Sequence, residues 1–269
     1  MKFKSHNHRV FLIKENEYKF VKKVGDKFPE RIRREYKILK ILSEHRGIPQ
    51  LKGVNLSSKI PFVKLKYIDA RQYDNLEQEQ LVRSNIKIAR WLKEFATSNY
   101  HLPSKITNEY SARQRDFQAF KKVKAIADKI HVREIILCID RIHEYQQRDR
   151  IHCAHRDFRT DRVLINGNNI YVIDWESASN GYILQDAGNF IASVIKKDIK
   201  KTRYLNTFAE ELVACTKFTI QELVDWTIFS LLWGSQIQKK LSYMVEADRY
   251  LHLAKQLAVK NHLKSDVFF

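Results

Sequence analysis

Two acids bracket one short hairpin in this chain. Between Cys153 and Glu176 the sequence reads CAHRDFRTDRVLINGNNIYVIDWE, with Asp157 ahead of two apolar runs and Asp174 just after them. The runs are joined by Asn166-Gly167-Asn168-Asn169, and Asn-Gly between apolar residues is a strong tight-hairpin signal. A two-stranded hairpin returns the chain to its starting point, so both carboxylates finish close together. Such a pair can divide labour. One carboxylate accepts a proton from an attacking hydroxyl while the other holds Mg²⁺ on phosphate oxygens, the division that phosphoryl transfer needs.

The flanking elements must hold this segment. Arg9–Ile13 and Tyr18–Val24 are β-prone runs separated by the polar turn 14–17, an antiparallel pair. Pro29 sits where a helix can begin, and Ile32, Tyr36, Leu39 and Leu42 recur at helical spacing up to Gly47. Two further apolar runs follow, Leu51–Val54 and Phe62–Ile68. The opening is therefore strand, strand, helix, strand, strand. From Leu76 the pattern turns helical: Ile86, Ala89, Trp91, Leu92 and Phe95 mark one helix, and residues 110–148 read as one or two more. After the hairpin the chain is helical again from about Thr207, with Leu223, Trp226, Phe229 and Leu232 on one face.

Composition narrows the classes. A chain of 269 residues with 44% hydrophobic residues can bury a large core, and 7 glycines and 4 prolines argue against linkers and turn-rich all-β folds. The N-terminus lacks an apolar run of signal-peptide length, and Trp226–Trp233 is too short to span a bilayer. A cytoplasmic protein is expected, with Cys138, Cys153 and Cys215 as ordinary reduced thiols. His6, His8, His152 and His155 form no Cys/His metal quartet. The net charge is +18, and residues 1–69 carry 18 Lys and Arg against 7 Asp and Glu. That field favours anionic partners and disfavours cationic ones. A basic nucleic-acid-binding protein is the rival class, but no finger, helix-turn-helix or aromatic-on-strand motif supports it, so nucleic acid is not expected as a partner.

The segment His155-Arg156-Asp157, a hairpin, then Ile173-Asp174-Trp175-Glu176 resembles the catalytic core of the aminoglycoside phosphotransferase and choline kinase families and of lipopolysaccharide core-sugar kinases. The resemblance implies an α+β, protein-kinase-like two-lobed fold, with a small antiparallel-sheet N-lobe (residues 1–68) and a mostly helical C-lobe (residues 69–269). It implies ATP and Mg²⁺ as cofactors, Asp157 as the catalytic-loop base and Asp174 as the metal ligand. Phe20–Val24 resembles the strand that carries the phosphate-binding lysine. Strand alternation makes Lys23 the first candidate and Lys22 the second. Glu35 stands where the family pairs a glutamate with that lysine. Phe62–Ile68 resembles the inter-lobe hinge, with Leu65 and Tyr67 the nucleotide-lining candidates, and Ile88–Phe95 resembles the helix preceding the catalytic loop. Gln185-Asp186-Ala187 resembles a later motif whose buried acid supports that loop.

Two departures stand out. No glycine-rich loop is present, which leaves Ser5 or Asn7 to meet phosphates. The family's Asn five residues after the base is Arg162 here, and a guanidinium has no acceptor with which to ligate a metal. Three outcomes follow: Arg162 supplies charge in place of one metal, Asp161 substitutes as ligand, or the chain is a pseudokinase. Arg162 is taken as a catalytic candidate. The expected acceptor is a small molecule or glycan, with an anionic sugar such as lipopolysaccharide core heptose or Kdo favoured. An aminoglycoside- or choline-type acceptor is the alternative. Peripheral contact with an anionic inner-membrane surface is compatible with the charge.

Overall fold

The computed structural model describes residues 2–3, 9–98, 100–103, 106, 109–148, 152–214 and 216–263. Strands β1 (Lys2–Phe3), β2 (Arg9–Glu15) and β3 (Tyr18–Val24) open the chain, and α1 (Pro29–Ile41), β4 (Leu51–Asn55) and β5 (Phe62–Lys66) follow. The five strands make one antiparallel sheet in the order β1-β2-β3-β5-β4. Pro29 starts α1, where its missing N–H costs nothing and its fixed φ suits the helix. The helix buries Ile32, Glu35, Ile38 and Leu39. Three of the four are apolar, so the buried glutamate must have a specific partner.

The rest is mainly helical: α2 (Gln78–Thr97), α3 (Glu109–Ile130), α4 (Arg133–Arg148), α5 (Ile183–Lys197), α6 (Leu205–Ala214), α7 (Ile220–Lys240) and α8 (Met244–Leu263). Helix α7 begins with a reciprocal cap: Thr219 Oγ accepts from the Glu222 N–H at 3.2 Å, and the Glu222 carboxylate accepts from the Thr219 N–H at 2.6 Å. Helices α5 and α7 cross closely at Gly188, where an added Cβ would lie 2.7 Å from the Trp226 backbone. Leu223, Trp226, Phe229 and Leu232 are all buried, as their spacing implies.

The hairpin is β8 (Val163–Asn166) with β9 (Asn169–Val172), turning at Gly167 with φ 56°. The structure adds a third strand that the sequence pattern did not reveal. Residues Arg71–Gln72 (β6) pair with β8, while β7 (His152–Ala154) pairs with β10 (Ser179–Gly181). Strands of two or three residues have too little periodicity to be read locally. The last sheet strand ends at Lys66 rather than Ile68, and α1 ends at Ile41 rather than running to Gly47. No helix among the described residues is long and apolar enough to cross a membrane.

Candidate active site

Lys23 lies on β3 opposite Val10 and Val63, with its side chain on the face covered by α1. Its ammonium sits 2.6 Å from Glu35 Oε2 and 2.6 Å from Asp174 Oδ1. Burial alone would depress the ammonium's pKa, but Glu35 and Asp174 outweigh it and hold Lys23 above its usual range. Lys22 points the other way and lies over the Phe62 ring at 4.0 Å. The second oxygen of Glu35 accepts from the Trp175 N–H at 3.2 Å, and Arg31 reaches Glu176 at 3.2 Å. Helix α1 is thus fastened to the segment after the hairpin by charge-assisted bonds.

The loop that carries Asp157 is fixed from below. Asp186, on α5, accepts the backbone N–H groups of His155 at 2.6 Å and Arg156 at 2.8 Å. Complete burial pushes the Asp186 carboxyl up to about 7 against the pull of those two donors. His155 Nε2 donates to the Ile173 carbonyl at 3.0 Å, and its Nδ1 accepts from the Asp157 N–H at 3.3 Å. That arrangement requires the neutral imidazole, and burial lowers its pKa to about 4. The ring also packs edge-on against Trp175 at 4.6 Å, and Phe158 stacks on Trp91 at 6.0 Å. Arg156 and Asp174 both take left-handed φ, 69° and 72°. Non-glycine residues adopt that region at a cost of about 1–3 kcal/mol each, so the surrounding contacts must impose it.

Hairpin register explains where Arg162 lies. A two-residue turn pairs Asn166 with Asn169, and counting back pairs Val163 with Val172. The next step places Arg162 beside Ile173, whose N–H donates to the Arg162 carbonyl at 3.0 Å. The Arg162 guanidinium then reaches Asp174 Oδ2 at 2.9 Å, Asp161 at 3.3 Å and Asp157 at 3.6 Å. Arg159 stands on the other side of Asp157 at 3.0 Å and also reaches Asp161 at 3.3 Å. Burial opposes ionisation of Asp174, but Lys23 and Arg162 override it and hold the carboxyl well below the usual range. Among the described residues Asp157 has no lysine within 4.0 Å; its ion pairs are to Arg159 and Arg162. Burial raises its pKa, and Arg159 and Arg162 only partly offset that. One acid is therefore held as a fixed anion while the other is more basic, the asymmetry that separates a ligand from a base.

Lys23, Glu35, Asp157, Arg162 and Asp174 are thus brought into one connected network. Leu65 and Tyr67 belong to a different part of the cleft. Leu65 is buried in β5, and the Tyr67 N–H is already donated to the Lys19 carbonyl at 3.2 Å. Ser5 and Asn7, with His6, His8 and Cys215, lie outside the described residues. Cys138 and Cys153 are buried, and burial raises both thiols. Sequence reasoning missed Arg159 and Lys196. Arg159 could have been found from the alternation of charge in Arg159-Thr160-Asp161-Arg162 directly after the base. Lys196 at the end of α5 resembles any helix C-terminal lysine.

A family model described as the phosphotransferase enzyme family matches residues 3–212. No curated protein matches by sequence. Among solved structures, a thermostable aminoglycoside phosphotransferase superposes with a TM-score of 0.63 at 16% identity, covering 95% of this chain and 93% of its own. An amicoumacin kinase gives 0.67 at 8% identity, covering 95% and 87%. A Plasmodium vivax ethanolamine kinase gives 0.63 at 14%, covering 94% and 81%. At these identities the likeness shows the fold, which is protein-kinase-like, with a small antiparallel-sheet lobe and a mostly helical one. The sequence match extends through the sheet, the hairpin and α5, and on that basis the chain belongs to the phosphotransferase enzyme family.

Proposed function

We propose that this chain transfers the γ-phosphoryl group of ATP, in an Mg²⁺-dependent reaction, to a hydroxyl of a small molecule or glycan. The observation that carries the proposal is the shared position of Asp174, held by Lys23 from the sheet and by Arg162 from the hairpin, with Arg162 continuing to Asp157. A phosphate tail entering this cleft meets two fixed cations, and an acceptor hydroxyl meets a carboxylate with raised basicity. In the step itself the hydroxyl proton passes to Asp157 as the acceptor oxygen bonds to the γ-phosphorus. The bond from that phosphorus to the bridging oxygen breaks, and ADP leaves with the electron pair.

The donors suit a hard cation. Glu35, Asp174 and Glu176 offer oxygens within 4.8 Å of one another, and Asp174 is the ligand of first choice. Bound Mg²⁺ would supply charge neutralisation on the phosphates. Arg162 supplies a second positive charge without a coordination sphere, in the place where the family's Asn would serve a metal. Solved neighbours are consistent with nucleotide and small-molecule ligands: one is a complex with AMP-PNP, Ca²⁺ and amicoumacin, another with ADP and hygromycin B.

For the acceptor, the basic surface favours an anionic sugar such as lipopolysaccharide core heptose or Kdo, reached from the cytoplasm at an anionic membrane surface. A second reading, a pseudokinase, draws on Arg162 itself, since its bond to Asp174 occupies an oxygen that a metal would use. Acceptor-dependent release of ADP separates the two. With Mg-ATP and a panel of phosphorylated sugars, sugar acids, aminoglycosides and choline, at least one acceptor should raise ADP release well above the Asp157→Asn background. Tight Mg-ATP binding with no acceptor response anywhere in the panel would select the pseudokinase.

A further inference from the structure

A cavity of about 480 Å³ opens beneath the catalytic loop, within the roughly 300–1,000 Å³ typical of small-molecule sites. Asp157 stands in its wall with Arg156, Arg159, Lys196 and Lys197, and Trp233 and Tyr250 contribute half-buried rings. The acids there are already engaged: Asp157 and Asp161 each contact Arg159 and Arg162. Lys197 pairs with Asp74 at 2.5 Å, and Arg156 donates to Gln185 at 2.5 Å.

Lys196 differs. Among the described residues no carboxylate lies within 4.0 Å of its ammonium, which reaches only the Ser230 carbonyl at 3.4 Å and the face of Tyr250 at 4.6 Å. Burial, then the nearby Arg159, lower its pKa to about 8, while Asp157, beyond ion-pair distance, pulls the other way and only partly offsets them. The helix opposite makes room for it. A Cβ added at Gly234, inside α7, would stand 2.4 Å from the Lys196 nitrogen. Glycine in a helix interior costs about 1 kcal/mol relative to alanine, and here it leaves the space in which the Lys196 ammonium sits.

We propose that this cavity holds the acceptor and that Lys196 recognises an oxyanion, carboxylate or phosphate, on a sugar whose hydroxyl is presented to Asp157. The inference rests on the phosphotransferase reading and adds to it a residue that determines specificity. An anionic ligand supplies the direct ion pair that Lys196 does not make with any described carboxylate, with Arg159 and Arg156 in the same wall to share the charge. The aromatic rings of Trp233 and Tyr250 give a sugar ring apolar surface on which to rest. A polycationic acceptor would instead meet uncompensated like charge.

The test uses the full chain saturated with Mg-ADP, so that added anions do not compete at the nucleotide site. Glucuronic acid, glucose 6-phosphate, glucose and glucosamine are titrated, with Trp233 fluorescence and calorimetry as readouts. At least one of the two anions should bind about tenfold or more tightly than glucose and glucosamine, the order expected for a desolvated charge pair. Whichever anion is preferred distinguishes a sugar acid from a phosphorylated sugar. Lys196→Met should reduce that anion to the level of glucose while Mg-ADP affinity stays within about twofold, and Lys196→Arg should restore part of the loss. Equal or better binding of glucosamine, or anion affinity unchanged in Lys196→Met, would overturn the proposal. Failure of Mg-ADP to bind the wild-type chain would remove the phosphotransferase reading beneath it.

Discussion

Two acids, half-buried Asp174 in the cleft and fully buried Asp225 on α7, show what separates a site from a strut. Asp225 is fully buried and accepts from Arg141 Nε at 2.7 Å, Arg141 Nη2 at 2.8 Å, Gln221 at 2.8 Å and the Tyr145 hydroxyl at 3.0 Å. A bidentate guanidinium with two further donors leaves its lone pairs saturated, and the result fastens α4 to α7. The cleft is built from the same residue types with different satisfaction. Arg159 Nε and Arg162 Nε are buried near Asp157, yet among the described residues neither makes a well-directed hydrogen bond, and Asp161 Oδ1 also lacks one. These side chains are a quarter to two-fifths exposed and pair by charge without directed bonds, which leaves them hydrogen-bonding capacity for a group that enters.

The comparison is sharpest in paired substitutions. Asp157→Asn should lower turnover by about 10² to 10⁴ while thermal stability and Mg-ATP affinity stay close to wild type. Asp225→Ala should do the converse. It should cost about 2–4 kcal/mol of folding stability by denaturant titration, since it strands a half-buried guanidinium and a tyrosine hydroxyl, and active protein at low temperature should keep its kcat. If Asp157→Asn unfolded the chain, or Asp225→Ala selectively abolished transfer, the distinction would fail.

A smaller effect concerns pH. His155 has a folded pKa of about 4 against about 6.5 in an unfolded chain, so between these values the folded state binds fewer protons. This group therefore adds stability as pH rises from 4 to 6.5 and loses it as pH falls. Asp186, raised to about 7, acts with the opposite sign, because its folded form holds the proton that the unfolded form releases. His155→Gln should be less stable than wild type at pH 7, and the gap should close by about 2 kcal/mol as pH is lowered to 4.5. A gap that stays constant with pH would show that the ring is not held neutral.

Much of the site was legible because local rules place it. The Asn166-Gly167 turn fixes the hairpin, the hairpin fixes Arg162 beside Ile173, and strand alternation selects Lys23 over Lys22. Other features depend on contacts distant in sequence. Residues Arg71–Gln72 become a strand only because β8 offers an edge, and Lys196 gains its meaning from a glycine on α7 nearly forty residues later. The hinge fell between these cases: the sequence marked the strand, but only the fold shows that Lys19 takes the Tyr67 amide.

The central claim is that the Lys23–Asp174–Arg162 network is a nucleotide-phosphate site, and thermal unfolding with ATP, with and without Mg²⁺, tests it most directly. A ligand at 100 times its Kd stabilises the folded state by about 2.7 kcal/mol, so Mg-ATP should raise Tm by several degrees. Asp174→Asn should abolish most of that rise, and ATP with chelator should give a smaller one. An unchanged Tm at millimolar Mg-ATP, or a full rise retained in Asp174→Asn, would contradict the account.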